Sequence, residues 1–142
     1  MKLLVLLSLF IFSISFAARK KEDVRLPKKP PLKNGEYALF VDQGYKIFTL
    51  KSFESVRVNE NCMSDKLPTC KAALAVRFPK PYPQSNTSGS INPGGRYCVS
   101  HGAKNLIATD SKNAEFDFCY FEDGSIADSW GLYDKHFPIK KR

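Results

Sequence analysis

Past Phe12 the chain never assembles an apolar run near the ~20 residues that a membrane-spanning helix needs. The short run Leu3 to Phe12 follows a single lysine and precedes Ser15-Phe16-Ala17. That arrangement reads as a signal peptide over residues 1–17, with small Ser15 and Ala17 placing cleavage after Ala17. No cysteine stands at the cleavage point, which disfavours a lipid anchor. The expected product is soluble and exported, periplasmic or secreted. Histidine is scarce, with only His101 and His136. The four cysteines form no C-x₂-C pair and the histidines no H-x₃-H pair, and an oxidising compartment opposes zinc as well. Neither a metal nor a cofactor is expected. No internal repeat is visible.

Catalytic groups do not converge either. Ser100 and His101 are neighbours near a helix end and cannot face each other as nucleophile and base. His101 falls in a last helical turn, where a cation would meet the negative end of the helix dipole, a structural role. His136, among Lys135, Phe137 and Pro138, reads as a surface residue. Glu115 and Asp117 fit an exposed strand face, and Glu122 and Asp123 fit turn chemistry. No catalytic residue is assigned, and the protein is expected not to be an enzyme.

The charge is unevenly placed. Arg19 to Lys33 carries seven basic and two acidic side chains, and Lys140-Lys141-Arg142 adds three basic ones. Between Asn34 and Ile139 stand 11 basic and 12 acidic side chains, so the body is near neutral. A nucleic-acid reader carries its basic face on the fold itself, so no nucleic-acid partner is expected. The basic tails suit weak contact with an anionic membrane or wall surface, although two solvated tails is the simpler reading.

Residues 18–33 form a basic, proline-rich tether with almost no apolar content, expected to be mobile or semi-extended. Residues 34–78 are strand-rich. Tyr37 to Val41 is an apolar run ended by Asp42-Gln43-Gly44, and Phe48 and Leu50 alternate with Lys46 and Thr49. Val56 and Val58 flank Arg57, and Ala72, Leu74, Val76 and Phe78 alternate with Ala73, Ala75 and Arg77. The period of two predicts three or four strands in an antiparallel meander. Residues 79–91 are proline-rich, then Ser/Asn/Thr/Gly-rich, and read as a linker or surface loop. Asn86-Thr87-Ser88 within them fits a glycosylation acceptor pattern, which matters only in a eukaryotic secretory route. The mature length suits one domain, with two small lobes sharing a sheet as a variant.

Residues 92–137 organise the rest, ahead of a basic tail over 138–142. Asn92 is placed to cap a helix, Pro93 to occupy its first position and Gly102 to close it. Two extended runs follow, Asn105 to Asp110 and Ala114 to Phe121, joined by Ser111-Lys112-Asn113. Glu122-Asp123-Gly124-Ser125 is the next turn, and a helical turn is expected around Asp128 to Tyr133. Gly94 and Gly95 each cost up to about 1 kcal/mol against alanine in a helix. Close packing of the helix against the sheet explains them better than an anion site at the helix start. On the second run the pleat puts Phe116, Phe118 and Tyr120 on one face and Glu115, Asp117, Cys119 and Phe121 on the other.

Asn92-Pro93, Tyr97-Cys98-Val99, Gly102, Cys119-x-Phe121, Asp123-Gly124-Ser125, and Trp130 with Leu132 resemble the DUF333 family of small exported bacterial domains, in order and spacing, over about a third of the chain. Some of its members carry the label haemolysin. Many add a second cysteine pair near the tryptophan, whereas Ala127 stands here and no cysteine follows Cys119. The resemblance implies fold and location, and brings no catalytic residues.

An even count of four cysteines in an exported chain reads as two disulfides, with three pairings open. Cys62 with Cys70 would staple the loop between two strands. Cys98 with Cys119 would tie helix to hairpin, both being family-pattern positions, and this is the expected pair of bridges. The Cys98 helix then lies over the Cys119/Phe121 end of its strand face, and Glu115 and Asp117 project beyond it into water. The opposite face needs a cover, for which Trp130 and Leu132 are the nearest large apolar groups. Trp130 is therefore expected in the core, with an exposed recognition patch as the other reading.

The predicted fold is α+β, a small antiparallel sheet with one short helix, disulfide-stapled. Its structural anchors are Asn92, Pro93, Gly102, Gly124 and Trp130. The expected function is that of an exported non-catalytic module binding a protein or envelope component. A small secreted hydrolase or a membrane-active, haemolysin-like effector is the alternative.

Overall fold

A computed structural model describes residues 27–64, 68–84 and 92–138. The signal peptide, the leader up to Leu26, Asn86-Thr87-Ser88 and Lys140-Lys141-Arg142 lie outside the described residues.

Three strands open the fold: β1 (Glu36–Val41), β2 (Gly44–Phe53) and β3 (Val56–Asn59). Asp42 and Gln43, then Glu54 and Ser55, take positive φ in the two connections. Two such residues per turn match the right-handed twist of the strands they join. A short 3₁₀ turn (Glu60–Met63) leads towards helix α1 (Lys71–Arg77). After it come α2 (Pro93–Ser100), β4 (Lys104–Asp110), β5 (Glu115–Tyr120), β6 (Ile126–Asp128) and α3 (Ser129–His136).

The six strands close into a barrel in the order β1-β2-β3-β6-β5-β4, every pairing antiparallel. The strand-rich and helix-hairpin regions therefore share one sheet. Closure pairs Leu39 with Ala108 on one side and Val58 with Ala127 on the other.

Two apolar layers result. Leu39, Phe48, Ala108, Phe118 and Ile126 pack together, flanked by Tyr37, Phe116 and Tyr120. Val56, Val58, Cys98, Cys119, Phe121 and Ala127 pack with the helical residues Ala72, Val76, Tyr97 and Leu132. The alternation on β5 divides the layers: Phe118 enters the first, and Cys119 and Phe121 the second.

Three expectations change. First, three α-helices stand among the described residues, not one, although α3 falls on the helical turn expected around Asp128 to Tyr133. Second, Ala72 to Phe78 is not a fourth strand of the meander. Ala72, Ala73, Ala75 and Val76 are the buried positions, a helical spacing. Alanine, the best helix former, is apolar on either face of an alternating pattern and so mimics a strand. The helix stops at Phe78, whose extended backbone suits the residue before Pro79. Third, Trp130 is 43 % exposed, whereas Leu132 is fully buried. Tyr37, Leu39 and Phe48 cover the Phe118 face instead, with Tyr37 and Phe48 ring centroids 5.5 and 5.3 Å from that of Phe118. A closed barrel fills its own interior, so no helix is needed there.

The described end of the leader is tied down. Lys29 Nζ donates to Thr109 Oγ1 at 2.7 Å, Asn113 Oδ1 at 2.8 Å and the Asp110 carbonyl at 3.2 Å. We expect Lys29→Ala to cost about 1 kcal/mol, a fall of ~4 °C in the thermal midpoint of a domain this size. Calorimetry of the variant checks this; an unchanged midpoint would mean that the contact contributes nothing.

Candidate binding groove

The C-terminal region is braced by its own polar residues. Asn92 Oδ1 accepts from the Gly95 amide at 2.7 Å, and its Nδ2 donates to Asp117 at 2.9 Å. Asn105 Nδ2 donates to the other oxygen of the same carboxylate at 3.3 Å. Asp117 is thus half-buried and holds the start of α2 rather than projecting into water, while Glu115 is exposed. Pro93 occupies the first turn, and Gly102, at φ +77°, ends the helix. A Cβ on Gly94 would sit 2.9 Å from the Ser129 carbonyl oxygen, so this glycine admits the start of α3 against α2. The close packing is helix on helix, not helix on sheet.

Cys98 pairs with Cys119, fastening α2 to β5, and Cys62 pairs with Cys70, just ahead of α1. The Asp123-Gly124-Ser125 turn serves α1 from across the fold. The Lys71 amide donates to Asp123 Oδ2 at 2.7 Å, and the Ala72 amide to Ser125 Oγ at 2.9 Å. Ser125 Oγ in turn donates to Asp123 Oδ1 at 2.6 Å. Burial pushes the Asp123 carboxyl up, but these hydrogen bonds outweigh it and hold it below its ordinary value. Gly124, at φ +78°, makes the turn.

Between α1 and the residues after α2 and β5 runs an open groove of about 390 Å³. Its walls are Leu74, Ala75 and Phe78 on one side and His101, Gly102, Phe121 and Glu122 on the other, with Lys71 and Lys80 also lining it. Leu74 is 39 % and Phe78 64 % exposed, whereas Phe121 is buried. The Lys71 ammonium pairs with Glu122, whose carboxyl it holds below the usual range.

Both histidines depart from expectation. His136 is half-buried, its Nε2 lying 3.0 Å from the Val76 carbonyl oxygen and its Nδ1 2.7 Å from the Tyr97 hydroxyl. A carbonyl only accepts, so Nε2 carries a proton, while Nδ1 and the Tyr97 hydroxyl share a hydrogen bond. The Tyr97 hydroxyl also accepts from the Lys80 amide at 3.0 Å. The buried phenol and His136 together join α1, α2, α3 and the segment after α1. Only the resemblance marked Tyr97 in the sequence; its partners are 17 and 39 residues away.

His101 is not a cation at the helix end. Burial, with the nearby Lys80 and His136 charges, lowers its pKa from 6.5 to about 4. The unfolded chain then binds more protons than the folded one between pH 6.5 and about 4. Stability is full above this window and falls as the pH drops through it. At 1.36 kcal/mol per pKa unit the loss is at most ~3 kcal/mol, and solvent around the half-buried ring reduces it to roughly 1–2 kcal/mol. Denaturant unfolding at pH 7 and pH 4.5 checks this, and His101→Gln is expected to flatten the slope. An equal slope in the variant would remove His101 as the cause.

The fold and groove define a disulfide-stapled six-stranded barrel with helices packed over part of its outer face. Residues 89–136 match the family model described as Domain of unknown function (DUF333), the family that the sequence resembles. No curated protein and no solved structure matches the chain. The matched stretch supplies α2, β4, β5, β6 and α3, while β1, β2, β3 and α1 lie before it. The groove forms where the two meet, with family-pattern Gly102 and Phe121 facing α1.

Proposed function

We propose that the chain is an exported, non-catalytic binding module that seats an apolar group of a partner protein or envelope component in the α1 groove. The observation that carries this reading is the exposure of Leu74 and Phe78 over a preformed apolar floor. Exposed side chains lining one concavity are a recognition feature, whereas scattered ones are ordinary. The shifted acids support it too. Glu54, Glu60, Glu122 and Asp123 are all held below their ordinary values by ion pairs or hydrogen bonds. That direction keeps a carboxylate charged, not poised to exchange protons near neutral pH. Export rests on the signal-like N-terminus together with two disulfides. The basic leader and tail would add weak attraction to an anionic envelope surface.

The test immobilises the exported chain and offers it an envelope extract of the producing cell. Phe78→Ser should release what the native chain retains, and Ile107→Ser, altering an exposed strand residue outside the groove, should not. Equal retention by both variants would place the binding elsewhere.

A further inference from the structure

The groove is electrically lopsided along the ~10 Å of α1. At the start of the helix Lys71 and Glu122 neutralise each other. Beyond its end, Lys80 is exposed and has no ion-pair partner among the described residues. It lines the same groove as His101, whose Nε2 is enclosed with no hydrogen-bond partner among the described residues. Between the two ends lie only apolar walls: Leu74, Ala75, Phe78 and Phe121.

Charge complementarity selects the occupant. A wholly apolar molecule would leave the Lys80 charge unused, and a cation would meet it head on. A dicarboxylate long enough to span the groove would find no free cation for its second charge among the described lining residues, because Lys71 is already paired with Glu122. One carboxylate on an apolar body satisfies every wall. Building on the groove as the binding site, we propose that it takes a small amphipathic monocarboxylate, its apolar body on Leu74, Phe78 and Phe121 and its carboxylate on the Lys80 ammonium.

The experiment is NMR titration of the full exported chain at pH 7 with octanoate, 1-octanol and octylammonium, which share one chain and differ in charge. Octanoate should shift the Leu74, Phe78 and Phe121 side-chain signals and bind about tenfold more tightly than 1-octanol, the value of one charge-assisted hydrogen bond. Octylammonium should bind most weakly. Lys80→Gln, at an exposed position, should bring octanoate down to the level of 1-octanol. Octanesulfonate, an anion across the acid range, should raise the pKa of His101 in the native chain by placing negative charge beside it. A structural role for Lys80 would not produce that rise.

Equal affinity for octanoate and 1-octanol, or a Lys80→Gln variant that keeps the preference, would overturn the carboxylate assignment. Shifts confined to Phe40, Ile47 and Ile107 on the strands would overturn the site. The wider reading fails separately. If octanoate does not bind but Phe78→Ser still releases the retained envelope component, the ligand chemistry is wrong and the groove stands. If Phe78→Ser also releases nothing, both fall.

Discussion

Phe118→Ala is expected to lower the unfolding free energy by roughly 3–5 kcal/mol, and Trp130→Ala by less than about 1 kcal/mol. Phe118 is fully buried inside the barrel, where Leu39, Ala108 and Ile126 pack with it and Tyr37 and Phe48 meet its ring edge-on. Deleting that ring removes its transfer free energy and leaves a cavity. The antiparallel ladders on both sides of β5 keep the walls from collapsing into it. Trp130 has no such enclosure. Its indole meets Tyr133 edge-on at 6.2 Å and is 43 % exposed. Denaturant unfolding of the two variants beside the native chain measures the difference, and native Trp130 emission should be red-shifted. A blue-shifted emission with a large Trp130→Ala loss would restore the tryptophan to the core.

Replacing Cys98 and Cys119 together by alanine is expected to cost about 3 kcal/mol, by the loop-closure entropy returned to the unfolded chain. The bridge spans 21 residues and joins α2 to β5 at two fully buried positions. The Cys62–Cys70 bridge spans eight residues, and its removal should cost less by ~1 kcal/mol. Its loss has a more local consequence, because Cys70 stands immediately before α1 and Asp123 and Ser125 hold the same helix start. Chemical unfolding of the two double-alanine variants ranks the bridges. A larger loss from Cys62 and Cys70 would show that anchoring α1 outweighs loop closure.

Features set by a few adjacent residues were legible in the sequence. The Asn92-Pro93 start and Gly102 stop of α2 depend on caps within one helix. The division of β5 into a Phe116/Phe118/Tyr120 face and a Cys119/Phe121 face follows from the pleat. The error over Trp130 came one step later, in choosing what covers the first face. Nearness in sequence pointed to Trp130 and Leu132, but barrel closure brought Tyr37, Leu39 and Phe48 from the other half of the chain. Helix α1 failed for another reason: an alanine-rich segment satisfies periods of two and of three and a half alike. The groove was invisible because its walls come from residues 71–80, 101–102 and 121–122, each unremarkable alone.

By itself, then, the sequence determined the α+β composition, the strand faces, the α2 boundaries and the DUF333-like order of residues. All of these are governed by interactions within a few residues, where backbone geometry leaves few choices. Tertiary structure alone decided that the sheet closes, that α1 is a helix held by Asp123 and Ser125, and that His101 is neutral. It also brought His136 against Tyr97 and Val76. These outcomes depend on burial and on partners tens of residues away, and a side chain's charge and exposure follow from what closure places beside it.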